Sequence, residues 1–126
     1  MKFLLPLLAL VLAAAAPFPA KAEPSPQESA AIEHLILFVR DSGLVFVRNG
    51  AAHDAAEAGD HIAMKYAQAR EDISTAEEFI DNVASKSQMT GMPYLIRFPD
   101  GSEQPVSEWL HAELKKYRKS LKAPRL

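Results

Sequence analysis

Two short runs rich in β-branched and aromatic residues, Leu44 to Arg48 and Tyr94 to Phe98, limit what this chain can fold into more than any other feature. Runs of this length and make-up read as strands. The first lies between Gly43 and Asn49-Gly50, and the second is closed by the turn signal Pro99-Asp100-Gly101. A pair of short strands is not stable in water unless something covers it, so the remaining segments must supply the cover. The sequence therefore predicts an α+β domain that is mostly helical, with about four helices around a two-stranded sheet of residues 44–48 and 94–98.

The helices announce themselves by spacing. Ser25-Pro26-Gln27-Glu28 has the form of a capping box with proline at the first helical position, followed by Ile32, Leu35, Ile36 and Val39. A helix over 26–41 is expected, stopping at Ser42-Gly43. From Ala51 to Arg70 the chain is alanine-rich and proline-free, with Ala52, Ala55, Gly59, Ile62, Tyr66 and Ala69 on one face. That narrow face of small residues suits close approach of another backbone, and Gly59 marks the expected contact. Ser74 to Glu77 repeats the capping-box pattern ahead of Ala76, Phe79, Ile80 and Val83, and the polar stretch from Ser85 to Gly91 ends this third helix. Val106, Leu110, Leu114, Tyr117 and Leu121 form the stripe of a fourth, with Trp109 beside it, and Trp109 and Tyr117 are read as core.

The N-terminus reads as an address label. Lys2 is followed by the apolar run Phe3 to Ala16, interrupted by Pro17 and Pro19, and Ala20-Lys21-Ala22 offers small residues where a signal peptidase reads. The run is shorter than the roughly 20 apolar residues of a membrane-spanning helix. Cleavage is expected after Ala22, leaving a single domain over residues 23–120, a basic C-terminal tail over 121–126, and a periplasmic location with no membrane anchor. The chain has no cysteine, so lipid attachment at a lipobox, disulfides and thiolate metal sites are all excluded. Without Lys2 and Lys21 the 14 Lys and Arg become 12, against 16 Asp and Glu, and this acidic balance speaks against a nucleic-acid partner. The asymmetry is strong: residues 115–126 hold Lys115, Lys116, Arg118, Lys119, Lys122 and Arg125 with no acid. Contact of this stretch with an anionic surface is one reading; cations complementing a helix C-terminus is the preferred one.

Several ordered segments resemble a known family. They are Phe46-Val47-Arg48-Asn49-Gly50, Glu57-Ala58-Gly59-Asp60-His61-Ile62 with Lys65-Tyr66, Thr75-Ala76-Glu77-Glu78-Phe79-Ile80, Ala84-Ser85-Lys86-Ser87 and Thr90-Gly91-Met92-Pro93-Tyr94. Over residues 42–117 the chain is similar to the YfeK-like proteins, small exported bacterial proteins of unknown function. The resemblance implies a shared fold and an envelope location, and no activity. It also implies that Leu44 and Phe98 stand where many members carry cysteine, so that an apolar pair replaces a disulfide between the two strands. Leu44 and Phe98 are then neighbours, and an antiparallel register puts Arg48 opposite Tyr94. Ala52-His53 stands where other members often have Trp-Tyr, which weakens any chemistry assigned to His53.

Three groups of residues are candidates for function. Arg48-Asn49-Gly50 is read as a strand-to-helix junction, where helix N–H groups and a guanidinium favour an anion. The plainer account, which is preferred, has Asn49 capping the helix, Gly50 easing the backbone and Arg48 paired with an acid such as Glu57. His53, Glu57, His61 and Lys65 recur every four residues on one ridge of the expected helix. On a straight helix His53 and His61 would be about 12 Å apart along the axis, too far to share an ion. His-Glu-x-x-His is absent, so a solvated face is preferred and no metal or cofactor is assigned. The loop with Ser85, Ser87, Thr90, Gly91 and Tyr94 gathers hydroxyls but has neither a Gly-x-Ser-x-Gly elbow nor a Ser-x-x-Lys pattern. Structural roles are preferred there too, although this loop and Arg48 are expected to converge on one groove where Tyr94 stacks on a ligand.

Taken together, these features favour non-enzymatic binding of an anionic small molecule, a glycan or an envelope protein. One alternative is a small hydrolase or metal-assisted enzyme using His61 with Glu57 or a loop hydroxyl. Another is a structural or protein-interaction module presenting Met89 and Met92.

Overall fold

The computed structural model describes residues 23–123. The expected leader and the last three residues of the basic tail lie outside the described residues.

Helix α1, Pro26–Arg40, begins as the sequence predicts: the Ser25 hydroxyl accepts the Glu28 N–H, and Pro26 occupies the first turn. It buries Ala31, Ile32, Leu35, Ile36 and Val39. Strand β1, Val45–Arg48, is followed by β2, Ala51–His53, and only then by α2, Ala55–Ala69. This corrects the single helix expected from Ala51. Asn49 and Gly50 both have positive φ, 50° and 79°, the requirement of a two-residue type I′ hairpin turn, for which Asn-Gly is the strongest short-range signal. Asp54, not Asn49, caps α2, its carboxylate accepting the Glu57 N–H at 2.8 Å.

A 3₁₀ turn, Arg70–Asp72, leads to α3, Ala76–Phe79, which widens into a π-helical turn over Ile80–Ala84. The cap here is shifted by one residue from the expected Ser74 box: Thr75 Oγ1 accepts the Glu78 N–H, and the Glu78 carboxylate accepts the Ser74 N–H. The expected stripe of Ala76, Phe79, Ile80 and Val83 is buried throughout. Strands β3, Leu95–Arg97, and β4, Glu103–Pro105, enclose the Pro99-Asp100-Gly101 turn, and α4, Val106–Lys122, follows.

The sheet has four antiparallel strands in the order β2-β1-β3-β4, twice the number expected. The α+β, helix-rich class holds; the two missed strands flank the expected pair. Phe46 pairs with Ile96 and Val45 with Arg97, so the register continued by one residue at each end sets Leu44 against Phe98 and Arg48 against Tyr94, as the resemblance implies.

The helices cover one sheet face. Phe46 and Ile96 point into the core, which continues through Leu35, Val39, Phe79, Ile80, Val106 and Leu110, while Val45 and Arg97 face outward. Trp109 packs edge-on to Phe46 and stacks on Phe38. Leu121, expected on the buried stripe of α4, is instead largely exposed. Among the described residues no helix is long and apolar enough to cross a membrane.

Candidate functional site

Side chains directly paired across an antiparallel ladder lie on the same face of the sheet. His53 pairs with Phe46 across β1 and β2, and Arg48 stands opposite Tyr94 in the β1–β3 register, so these four side chains share the face that α2 covers. The hairpin thereby carries His53 off the helix and onto the sheet, and the helical spacing that would separate it from His61 does not apply. His53, His61, Arg48 and Tyr94 line one cleft with Phe46, Val47, Ala58 and Ile62. It is small, about 20 Å³.

Tyr94 is fixed before any ligand arrives. Its N–H donates to the Ser85 carbonyl at 2.8 Å, and its own carbonyl accepts the first N–H of α4, from Val106, at 2.9 Å. Ser85 is in turn set by the π turn, whose freed Ile80 carbonyl accepts the Ser85 hydroxyl. The phenol oxygen lies 3.1 Å from Lys65 Nζ, and the same ammonium donates to the Lys86 carbonyl at 3.1 Å. Lys65 also sits 5.0 Å from the centre of the Tyr94 ring, in cation–π range, and His61 meets that ring edge-on at 6.5 Å.

The electrostatics of the cleft are one-sided. Burial lowers the pKa of His61, and Arg48, Lys65 and His53 push it in the same direction. Burial also lowers that of Lys65, with Arg48 adding to the effect, and burial raises the Tyr94 phenol, partly countered by Arg48. Among the described residues Arg48 pairs with no carboxylate. Glu57, expected as its partner, instead approaches His53 at 3.5 Å. What assembles is the Arg48 guanidinium and the Lys65 ammonium with two imidazoles, with no acid among the residues that line the cleft.

Residues 26–118 match the model of a family of unknown function, DUF5329. The chain belongs to that family. The uncharacterized protein YfeK of Salmonella typhimurium (strain LT2) is 44% identical over 77 residues, covering 60% of this chain and 64% of that protein. The chain therefore spans a little under two thirds of its curated relative, and the resemblance read from the sequence is borne out. No solved structure matches.

In this member of DUF5329 the remaining sequence candidates fall into two groups. His61 and Tyr94 line the cleft with Arg48, and Lys65 reaches the Tyr94 hydroxyl at 3.1 Å from beside it. Asn49, Gly50, Ser87, Thr90 and Gly91 instead hold the loop that borders it. Thr90 Oγ1 donates to Asn49 Oδ1 at 2.8 Å, Asn49 Nδ2 reaches Ser87 Oγ at 3.4 Å, and Gly91, with φ of 71°, donates its N–H to the Ser87 carbonyl at 2.9 Å. Both Ser85 and Ser87 are buried, and Ser85 spends its proton on a backbone carbonyl. The helix N-terminus expected at Arg48-Asn49-Gly50 is absent from that junction, because the chain turns into a strand there.

Sequence reasoning missed Phe46, Ala58 and Ile62 as cleft residues, since each reads simply as core. It set His53 on the helix ridge rather than on the sheet, because the place of this residue depends on the Asn-Gly turn. Among the described residues no three of His, Cys, Asp and Glu are grouped closely enough to hold a metal ion.

Proposed function

We propose that this chain is an exported, non-enzymatic binding protein that takes an anionic group at the cleft between Arg48 and the Thr90–Tyr94 loop. The group belongs to a small molecule, a glycan acid or an acidic segment of an envelope protein. One observation carries this reading: Arg48, His61 and Lys65 gather around Tyr94 with no carboxylate among them. Burial holds His61 and Lys65 toward their neutral forms, and repulsion by the neighbouring cations adds to it; a bound anion would offset that repulsion. Calorimetric titration with acetate, glucuronate and inorganic phosphate is expected to find a bound anion in the unaltered protein and none in Arg48→Ala. Equal heats from the two proteins would remove the basis of the reading.

The hydrolase alternative is weaker, since the acid it assigns to His61 is engaged by His53 and the Ser85 hydroxyl is turned into the backbone. A protein-interaction role has one observation in its favour. Met89 is 96% exposed and Met92 50% exposed on the loop bordering the cleft, which suits a partner that touches loop and cleft together. Sedimentation would reveal self-association through this loop as a dimer lost in Met89→Ser. Export follows from the leader reading, and natural protein beginning at Glu23 in N-terminal sequencing is the expected result; a start at Met1 would remove the envelope from the proposal.

A further inference from the structure

The anion reading uses the mouth of the cleft but not its interior. Phe46 and Ile62 are 4% and 3% exposed, so the inner wall is buried hydrocarbon, completed by Ala58. Arg48, His53 and His61 are only half-buried and form the mouth. A space of about 20 Å³ admits a group the size of one water molecule or slightly larger. Water itself is poorly served there, because it needs two or more polar partners and this interior is apolar. A sugar ring is too large, and a phosphate placed inside would leave its oxygens without donors.

The mouth has its own preference. Tetrahedral phosphates are commonly held by a nest of backbone N–H groups or by an uncapped helix start. Neither is offered here: β1 turns into β2, and the first turn of α2 is already occupied by the Asp54 carboxylate. What the mouth does offer is a planar guanidinium, which matches the two coplanar oxygens of a carboxylate. The Lys65 ammonium, on the Tyr94 hydroxyl, has two of its three N–H groups committed to Lys86 and Tyr94.

We infer that the ligand is a carboxylate whose neighbouring carbon carries one methyl-sized group, with the methyl seated against Phe46, Ala58 and Ile62 and the carboxylate on Arg48. The inference rests on the anion reading and narrows it. The same chemistry occurs in free short acids such as propionate and in the carboxyl end of an alanine-terminated peptide, and the two are separable by experiment.

The test is a ladder of probes titrated into the unaltered protein: acetate and propionate, then N-acetylglycine, N-acetylalanine of either hand and N-acetylphenylalanine, with inorganic phosphate alongside. Each methyl step is expected to tighten binding about four-fold, the effect of one buried methylene, and N-acetylphenylalanine to bind no better than N-acetylglycine. Propionate ahead of N-acetylalanine identifies a free acid; the reverse order, with a preference for one hand, identifies a peptide end. Ala58→Val is expected to erase the methyl step, and because the ladder is read on the unaltered protein its outcome does not depend on that variant folding. A flat ladder, or phosphate binding more tightly than every carboxylate, overturns this inference and leaves the anion reading standing. Silence from all the probes overturns both.

Discussion

Gly59 of α2 stands against the backbone of Arg40 in α1: a Cβ placed on Gly59 would come within 2.9 Å of Arg40 Cβ and 3.1 Å of its Cα. The first is shorter than Cβ atoms tolerate and the second is tight, and the Cα belongs to a helix backbone that cannot swing away. Alanine normally gains about 1 kcal/mol over glycine inside a helix, whereas overpacking costs roughly 1–3 kcal/mol. Gly59→Ala is therefore expected to lower stability by about 1 kcal/mol, seen as a melting temperature reduced by about 4–8 °C. A variant as stable as the parent would mean that the two helices separate without cost.

The turn at Asn49 does more than reverse the chain. Its side chain accepts from Thr90 at 2.8 Å and donates to Ser87 at 3.4 Å, joining the hairpin to the loop that borders the cleft. Asn49→Ala loses both bonds and the residue type that, after glycine, best tolerates positive φ, so a destabilisation of about 1–2 kcal/mol is expected. Hydrogen exchange is the discriminating measurement. Amides of residues 87–92 should lose protection in this variant while those of α1 keep it.

Acidification should weaken the fold through His61. Its folded pKa lies below the ordinary value because of burial and the neighbouring Arg48, Lys65 and His53, so between that lowered value and about 6.5 the unfolded chain binds more protons than the folded one. Stability then rises with pH across this window, and is lost as pH falls through it. Denaturation midpoints measured from pH 7.5 down to 4.5 should show this slope, and His61→Gln should flatten it. Ligand binding should show the opposite sign. An anion beside Arg48, Lys65, His53 and Tyr94 favours the protonated imidazole, so affinity should increase on acidification over the same range. Proton resonances of the imidazole in Arg48→Gln should titrate at higher pH than in the parent.

Arg118 ties α1 to α3 from its position on α4. One terminal nitrogen lies 3.2 Å from Glu28 and 2.8 Å from Glu77. The site is partly open to solvent, so the ion pairs are worth about 1 kcal/mol together, and salt reduces their effect. Arg118→Met keeps most of the stem packing while removing the charge. The variant should be about 1 kcal/mol less stable in dilute buffer and nearly equal to the parent in 1 M salt. A difference that salt leaves unchanged would point to packing rather than charge.

Much of the fold is readable from the sequence because it depends on patterns local to each segment. The 3.6-residue spacing of Ile32, Leu35, Ile36 and Val39 and of Ala76, Phe79, Ile80 and Val83 marks both buried faces without reference to anything distant in the chain. The β1–β3 register follows once Leu44 and Phe98 are paired. Other elements depend on neighbours. Strand β2 carries two exposed alanines and no β-branched residue, so its state is decided by the Asn49-Gly50 turn that lays it against β1. Strand β4 is Glu103-Gln104-Pro105, with no apolar residue of strand type, and exists because β3 has an open edge to pair with. The cleft is legible only in halves. Spacing places His61 and Lys65 on one ridge, but the contact of Lys65 with Tyr94 crosses from α2 to the segment before β3, and no periodicity in a single segment encodes it.

The two outer strands also determine how the sheet ends. Each has only three residues, and β4 finishes in Pro105, which has no N–H to offer. A stray extended segment arriving at either margin would find a ladder too short to hold it. The sheet is in effect terminated on both sides, so crowding many copies together should not seed fibrous growth from its margins.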